Sequence, residues 1–370
     1  MKVAWFLTDL AGGGAERLPL ILAPYFRETS LHLVLLKNHV QHALPVPPPR
    51  LTALLPAEAR LGRSAWRLLR AAIEASRDAD LLVGGMEWDS TLAAVAAGLW
   101  LRRPVVAIVH TDLHRLYATL SIPAWRWRIF AWALRRCRAV LAVSRDGGEA
   151  AVRFGVPRNR CHVIPNPAPI VNVVTREHAS PEASTPKRLL TIGRLVPMKA
   201  IDVLVATAAL LGDLDFQWDV LGDGPERANV EAQAQRLGLG RRLTFHGFVL
   251  DPSPFFESAD LFVLSSRFEG MPLAMTEAMR YGLPLVATRC SHGVEDLVGE
   301  GEKAAGLLVP VEDPAALAAA ICGALESPQE FPRWAENARA RVAELGPPSI
   351  AARYEELFKG LIDATDLGSA

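Results

Sequence analysis

The sequence predicts an α/β protein made of two doubly wound, Rossmann-like domains facing a cleft. Three observations predict it. Short apolar runs rich in Val, Leu and Ile alternate with helical patterns along the chain, and continuous apolar strands with helices between them belong to parallel sheets covered on both faces. The chain has 370 residues, 50% of them hydrophobic, which is long for one core and natural for two. A polar, proline-bearing stretch, "VNVVTREHASPEASTPKR", divides the apolar runs into roughly six before residue 170 and six after 187, about one doubly wound sheet each.

The elements follow in order. "VAWFLT" is a buried first strand, and "LHLVLL", "DLLVGG", "PVVAIVH", "AVLAVS" and "CHVIPNP" continue the first sheet. After the divide come "RLLTIGRL", "QWDVLGDG", "RLTFHGF", "DLFVLSS", "PLVATR" and "AGLLVP". Most are bounded by Gly or Pro. The expected division is residues 1–170, a linker over 171–187, a second domain over 188–348, and a terminal helix over 349–370.

Composition excludes several classes. The 40 basic residues balance 40 acidic ones, so the chain lacks the excess positive charge of a nucleic-acid binder. Four cysteines, Cys137, Cys161, Cys290 and Cys322, show no C-x-x-C spacing, which argues against a zinc knuckle or disulfide framework and fits a reducing compartment. The apolar run at the start is short for a signal peptide, and no stretch reaches the ~20 apolar residues of a spanning helix. The expected location is cytoplasmic, with a peripheral place on the inner face of the cell membrane.

Ligands of open parallel sheets sit at the carboxyl ends of strands. "LAGGGAER" follows the first strand. Its Gly13 and Gly14 either bring backbone amides close to an anion or sugar or simply turn the chain into a helix. His110 directly follows "VAIV"; a lone histidine is structural by default, and its strand-end place moves it toward a substrate contact. His114, one turn on, is expected at the solvent. Arg194 and Lys199 lie between a strand and a helix in "IGRLVPMKAIDVLV". Two cations there suit a diphosphate, or are two solvated loop charges. Gly222 and Gly224 of "GDGPER" either approach a ligand or form an ordinary turn. "DLD" at Asp213 to Asp215 is read as a loop and not a metal site, and no metal is expected.

The stretch "SSRFEGMPLAMTEAM" carries two glutamates, Glu269 and Glu277, with seven residues between them. Pro272 is placed as a first-turn proline and Gly282 as the helix's C-cap. The amides of such a helix start, around Gly270, Met271, Pro272 and Leu273, form an anion site. A nucleotide diphosphate across it would set its sugar near Glu269 and its ribose along Glu277, since carboxylates accept hydrogen bonds from hydroxyl pairs. The plainer reading is an acidic loop residue and a solvated helix face, although Glu277 is flanked by Met275, Ala278 and Met279.

"PAWRWRIFAWALRRCRAV" places Ile129, Phe130, Ala133, Leu134 and Cys137 on one helical face, read as core. Trp125, Arg128, Trp132, Arg135 and Arg136 share another arc, and Arg126, Arg138 and Trp127 crowd the same segment. Tryptophan with arginine suits an anionic headgroup layer; otherwise these are ordinary snorkelling arginines.

"RFEGMPLAMTEAMRYGLPLVATRC" resembles the signature of glycosyltransferase family 4, the retaining GT-B enzymes. "GGGAER", "VIPNP", "IGRLVPMKAIDVLV" and "GDGPER" resemble that family's other landmarks in the right order, so the resemblance spans essentially the whole chain. It implies the GT-B fold, a nucleoside diphosphate sugar as donor in the C-terminal half and no cofactor. It also implies a glycan or lipid-linked acceptor in the N-terminal half, and a segment from Tyr354 to Leu361 that crosses back to the first domain. Arg194 and Lys199 resemble the diphosphate clamp, Glu269 the donor-sugar contact and Glu277 the ribose acceptor. Gly14 resembles the close-approach glycine, and His110 the histidine that touches donor sugar and acceptor. The family retains anomeric configuration, with a phosphate oxygen taking the acceptor's proton. One departure is Ala200, where the family often has glycine after the lysine; its Cβ disfavours left-handed backbone. A sugar phosphorylase, a sugar-nucleotide epimerase and a non-catalytic sugar-nucleotide binder are the competing readings.

Overall fold

The structure, a computed structural model, describes residues 1–59, 65–119, 122–169 and 186–366. The chain divides into two compact units. Unit 1 comprises Met1–Pro167 and Pro347–Ala370, and unit 2 is Ala168–Gly346. The expected linker falls almost wholly on residues 170–185, outside the described residues.

Among its described residues unit 1 holds seven strands: β1 (Lys2–Leu7), β2 (Ser30–Leu35), β3 (Arg50–Ala53), β4 (Leu81–Gly84), β5 (Val105–Val109), β6 (Ala139–Ala142) and β7 (Cys161–Val163). They form one sheet in the order β3-β2-β1-β4-β5-β6-β7, and the pairs are parallel. Its helices are α1 (Gly14–Leu22), α2 (Ala65–Ala75), α3 (Asp89–Leu101), α4 (Leu113–Thr119), α5 (Ala124–Arg136) and α6 (Arg145–Arg153). Side chains alternate across a strand, so β1 faces two ways. Ala4 and Phe6 join the core formed with Ala94, Ala97, Phe130 and Ala133 of α3 and α5. Trp5 points the other way and meets the last helix, numbered α14 below: its ring lies 5.9 Å from Tyr354 and 6.4 Å from Phe358, and all three are fully buried. Burial of an aromatic ring of this kind contributes about 1.5–3 kcal/mol, which makes that helix part of the first unit's core.

Unit 2 holds β8 (Lys187–Ile192), β9 (Phe216–Leu221), β10 (Leu243–Gly247), β11 (Leu261–Leu264), β12 (Leu285–Thr288) and β13 (Gly306–Val309). Their order is β10-β9-β8-β11-β12-β13. Between and after them run α7 (Ile201–Leu210), α8 (Arg227–Arg236), α9 (Ser253–Ser258), α10 (Leu273–Arg280), α11 (His292–Val298), α12 (Pro314–Leu325) and α13 (Phe331–Ala343), and α14 (Pro347–Asp366) is the last helix of the described residues. Both sheets are therefore Rossmann-like, with the order reversing beside β1 and beside β8. The start and end of unit 2 meet: the Ala168 amide donates to the Leu345 carbonyl at 2.8 Å.

Three expectations need correction. The first sheet has a further strand, β3, which the apolar runs did not announce; it is an edge strand of intermediate or full exposure. Ile129 is 44% exposed and lies outside the core, while Trp127 is 4% exposed, packed edge-on against Trp88 at 4.3 Å. His114 is half-buried against the Phe154 ring at 4.8 Å rather than at the solvent.

Candidate active site

Unit 2 gathers its site at the carboxyl ends of β8 and β11. After β8 the chain turns through Gly193, Arg194 and Leu195, then through a single 3-10 turn, Pro197–Lys199. Two neighbouring loops hold this turn. The Leu195 amide donates to Asp223 O at 2.9 Å, and the Glu226 amide to Leu195 O at 3.0 Å. The loop after β9 comes so close that a Cβ on Gly222 would lie 2.0 Å from Gly193 O, and one on Gly224 2.3 Å from Leu195 O. Glycine is needed there for loop-on-loop packing, which fixes the Arg194 backbone.

Across from it, the loop after β11 is fastened from several sides. Thr288 donates its hydroxyl to Ser266 O at 2.6 Å, and Ser291 to Gly270 O at 3.2 Å. The Ser265 hydroxyl donates to Lys199 O at 3.0 Å and the Arg267 amide to Met198 O at 2.8 Å. The Arg267 guanidinium spans the same gap: Nη1 donates to Pro197 O at 2.6 Å and to Asp202 at 3.0 Å, Nη2 donates to Asp202 at 2.7 Å, and Glu312 takes a further ion pair. Bonding to Asp202 raises the Arg267 pKa. Burial works against the Asp202 carboxylate, but the hydrogen bonds and charge of Arg267 outweigh it and hold the carboxyl below its usual range.

The two loops meet at their functional ends. Lys199 Nζ donates to Glu269 Oε1 at 2.5 Å, and the Ser266 hydroxyl donates to the same oxygen at 2.7 Å. Glu269 is only 5% exposed. Among the described residues Oε2 of Glu269 makes no hydrogen bond, which leaves it to accept one from a hydroxyl. Its negative charge reaches the buried Cys290: burial first, then Glu269, push that thiol up to about 12. Direct pairing of Lys199 with Glu269 was not legible from spacing, since 70 residues separate them. Nor was the role of Arg267, which the opening pattern left as a flanking residue.

α10 starts directly after this loop. Pro272 is its N-cap, one position before the first helical residue, and no side chain caps the first turn. An uncapped helix start presents backbone amides and the positive end of the dipole, here at Leu273 and Ala274. Glu277 lies in α10 and is 4% exposed, so the solvated-face reading is set aside. Tyr281 caps the helix end, and Gly282 follows it at φ +71°. Ala200, where glycine is the family's habit, adopts the left-handed conformation nonetheless, at φ 50° and ψ 45°, buried at the junction of the 3-10 turn and α7. Its strain is of order 1–2 kcal/mol.

Unit 1 has its own constellation. Gly12 turns at φ +78°, Gly13 caps α1, and Gly14 is the first helical residue. A Cβ on Gly13 would lie 1.8 Å from Glu16 Oε2, so Gly13 yields its space to a buried carboxylate folded back over the turn. His42 packs near this turn, its pKa lowered by burial and then by Arg17. His110 is half-buried at the end of β5. Its Nε2 lies 2.8 Å from Gly85 O, and its amide donates to Glu87 at 2.7 Å. A carbonyl only accepts, so Nε2 carries the proton and Nδ1 is the acceptor. That Nδ1 is buried with no hydrogen-bond partner among the described residues. Beside it, Trp88 sits at φ 70°, a backbone state that bulky residues rarely take and that concentrates at functional sites. Glu87, Trp88 and His42 carried no sequence signal beyond their place after a strand.

On α5, Trp125 (61% exposed), Arg128, Trp132, Arg135 and Arg136 all lie outward. Arg136 stacks over the Trp132 ring at 5.3 Å. Asp213 to Asp215 form the loop into β9. Among the described residues no three His, Cys, Asp or Glu side chains form a metal-ligating group, and no helix is long and apolar enough to cross a membrane.

Comparison with known proteins gives two family matches: Glycosyltransferase Family 4 over residues 12–170 and Glycosyl transferases group 1 over residues 174–341. The chain is similar to the lipopolysaccharide core biosynthesis glycosyltransferase LpsE of Rhizobium meliloti, 32% identical over 45% of this chain and 45% of that one. It is also similar to lipopolysaccharide 1,6-galactosyltransferase of Salmonella typhimurium, 27% identical over 44% of this chain and 45% of that one. The chain thus spans about half the length of the curated relatives it matches. Among solved structures, Anabaena HepE in complex with UDP-glucose superposes with a TM-score of 0.82 at 21% identity, covering 97% of this chain and 100% of that one.

Proposed function

We propose that this chain, which belongs to the glycosyltransferase family 4 type of GT-B protein, moves a hexose or N-acetylhexosamine from a nucleoside diphosphate sugar to a glycan or lipid-linked acceptor, in the building of cell-surface polysaccharide or glycoconjugate. The observation that carries this reading is the Lys199–Glu269 pair, held at 2.5 Å beside the uncapped start of α10. A cation, a buried carboxylate with one open oxygen and a row of helix-start amides fit the three parts of a sugar diphosphate. UDP is the favoured nucleotide, because the HepE structures were solved with UDP and UDP-glucose. The names of LpsE and the galactosyltransferase support a surface-polysaccharide acceptor.

The ammonium of Lys199 spends one of its three donors on Glu269 and keeps two for phosphate oxygens. Arg194, earlier on the same loop, supplies the second cation, and with the α10 amides they neutralise the departing diphosphate without a metal. Glu269 Oε2 accepts from a donor-sugar hydroxyl near the reacting carbon, and Glu277 from the ribose. Gly13 and Gly14 let backbone approach the donor, and His110 Nδ1 accepts a hydrogen bond from a substrate hydroxyl. Transfer retains configuration: a phosphate oxygen of the leaving group takes the acceptor's proton, so no protein base is required. The exposed arc of α5 rests on an anionic membrane surface, where a lipid-linked acceptor would be met.

The test is a thermal-shift and calorimetric panel of UDP-, GDP- and ADP-sugars, followed by release of nucleoside diphosphate on addition of lipid-linked or glycan acceptors. A UDP-sugar should bind most tightly and turn over only with an acceptor. Turnover with orthophosphate in place of an acceptor, or epimerisation without one, would reassign the site.

A further inference from the structure

Along the outer edge of the unit 1 sheet lies a cavity that the proposed transfer does not use. β7 ends the sheet, and the residues leading into it, together with one stripe of α14, enclose a groove of about 920 Å³, within the ~300–1,000 Å³ of small-molecule sites. The α14 stripe comprises Arg353, Glu356, Leu357, Gly360 and Leu361, the spacing of one helical face.

The groove is cationic in a chain whose formal net charge is zero. Arg138, Arg160 and Arg353 line it against one carboxylate, Glu356. Among the described residues, none of the three guanidinium groups is ion-paired. Arg353 spends one donor on Val163 O at 3.0 Å, which anchors it and caps that carbonyl of the edge strand against an added peptide. Burial lowers the pKa of His162, so at neutral pH it is an uncharged hydrogen-bonding group and the arginines supply the charge. Ile164, Leu357 and Leu361 give the groove an apolar side. Planar guanidinium groups match phosphate oxygens two at a time, and unpaired arginines grouped in a concavity are the means by which proteins hold phosphate esters.

We propose that the groove between β7 and α14 is a binding site for a phosphate-bearing ligand, whose phosphate oxygens are taken by Arg138, Arg160 and Arg353. The site lies wholly in unit 1 and stands independently of the proposed transfer reaction. The phosphate comes either from a soluble ester or from a lipid headgroup, and the chemistry at the arginines is the same.

Cys161 lines the groove and is the reporter; Cys322, also half-exposed but in unit 2, is the internal control, and Cys137 and Cys290 are buried. The full chain is treated with iodoacetamide, with and without inorganic pyrophosphate, and the modified peptides are quantified by mass spectrometry. At a pyrophosphate concentration about four times its Kd, mass action slows Cys161 labelling about fivefold, with Cys322 unchanged. Arg138→Ser with Arg160→Ser should abolish the protection while the cooperative thermal unfolding transition and the labelling of Cys322 stay as in the wild type, which shows the fold is intact. A second arm uses phosphatidylglycerol vesicles: protection by vesicles alone, lost in the double variant, assigns the phosphate to a lipid. Protection by neither probe, or protection that persists in the double variant, overturns the proposal.

Discussion

Replacing Lys199 by methionine keeps the stem of the side chain and removes the ammonium that pairs with Glu269. The carboxylate stays behind, 7% exposed in its side chain, with the Ser266 hydroxyl as the hydrogen bond left to Oε1. Breaking a buried pair by removing one partner costs about 3–5 kcal/mol, because the remaining charge is uncompensated. Lys199 is 19% exposed in its side chain, so the lower end applies, about 3 kcal/mol, or a Tm drop of about 6–12 °C for a unit of this size. Glu269→Gln leaves a cation with some access to water and an amide oxygen to accept from it, and costs about 1–2 kcal/mol. The double variant leaves no stranded charge, so it should lose about 2 kcal/mol rather than the sum of about 4–5 kcal/mol, a coupling of about 2–3 kcal/mol. Scanning calorimetry of the four proteins without nucleotide measures the cycle. If the double variant loses the sum of the single losses to within about 0.5 kcal/mol, the two groups do not interact and the site is built differently.

Four further outcomes follow from the same geometry. Glu269→Gln should lower turnover about 10²–10³-fold with UDP affinity largely kept, whereas Glu277→Ala should weaken UDP binding by about 1.5–3 kcal/mol; equal binding losses in calorimetry would overturn this assignment of positions along the donor. Activity should persist in excess chelator, and complete loss that magnesium or manganese restores would sink the metal-free reading. The protein should co-sediment with anionic vesicles at low salt and much less at high salt. Arg128, Arg135 and Arg136 changed together to serine should end that binding with UDP affinity unchanged. Asp202 and Glu355 both have lowered pKa values in the folded state, burial in each case being outweighed, by Arg267 for Asp202 and by the Arg27, Glu28 and Thr29 donors for Glu355. Their stabilisation is complete above the unfolded carboxylate pKa of about 4 and fades as pH falls through the lower folded values. Asp202→Asn should therefore flatten the acid limb of a Tm–pH curve below about pH 4, and an unchanged limb would remove Asp202 from the account.

The strands were legible wherever both faces are buried, because a continuous apolar run such as "DLFVLSS" has no other soluble use. β3 escaped because it is a four-residue edge strand, half-exposed and preceded by prolines, so it carries no such run. The helical wheel of α5 found its outward arginines but misplaced Ile129 and Trp127. Periodicity assigns faces, while the Trp88 ring, delivered from another loop, decides which tryptophan is covered. At the candidate site the residues were legible one by one: Arg194, Lys199, Glu269 and Glu277 each follow or enter an element in a telling place. Their pairing was not, since loop contacts across 70 residues of sequence leave no local pattern. Alanine at position 200 shows the limit from the other side. Its side chain argues against a left-handed turn, yet the hydrogen bonds of Arg267 and Ser265 to the adjoining carbonyls impose that turn.

The hydrogen bond from Ala168 to Leu345 closes unit 2 on itself at the point where the chain enters and leaves it. Unit 2 is thus a graft set into unit 1, attached by two stems rather than strung on one. The same arrangement makes the graft portable. Its two ends emerge side by side, so residues 168–346 could be lifted into a surface turn of an unrelated host through short joints. Pro167 and Pro347 of the donor could be rejoined by a bridge of about four flexible residues, with Tyr354 and Phe358 still closing the core around Trp5.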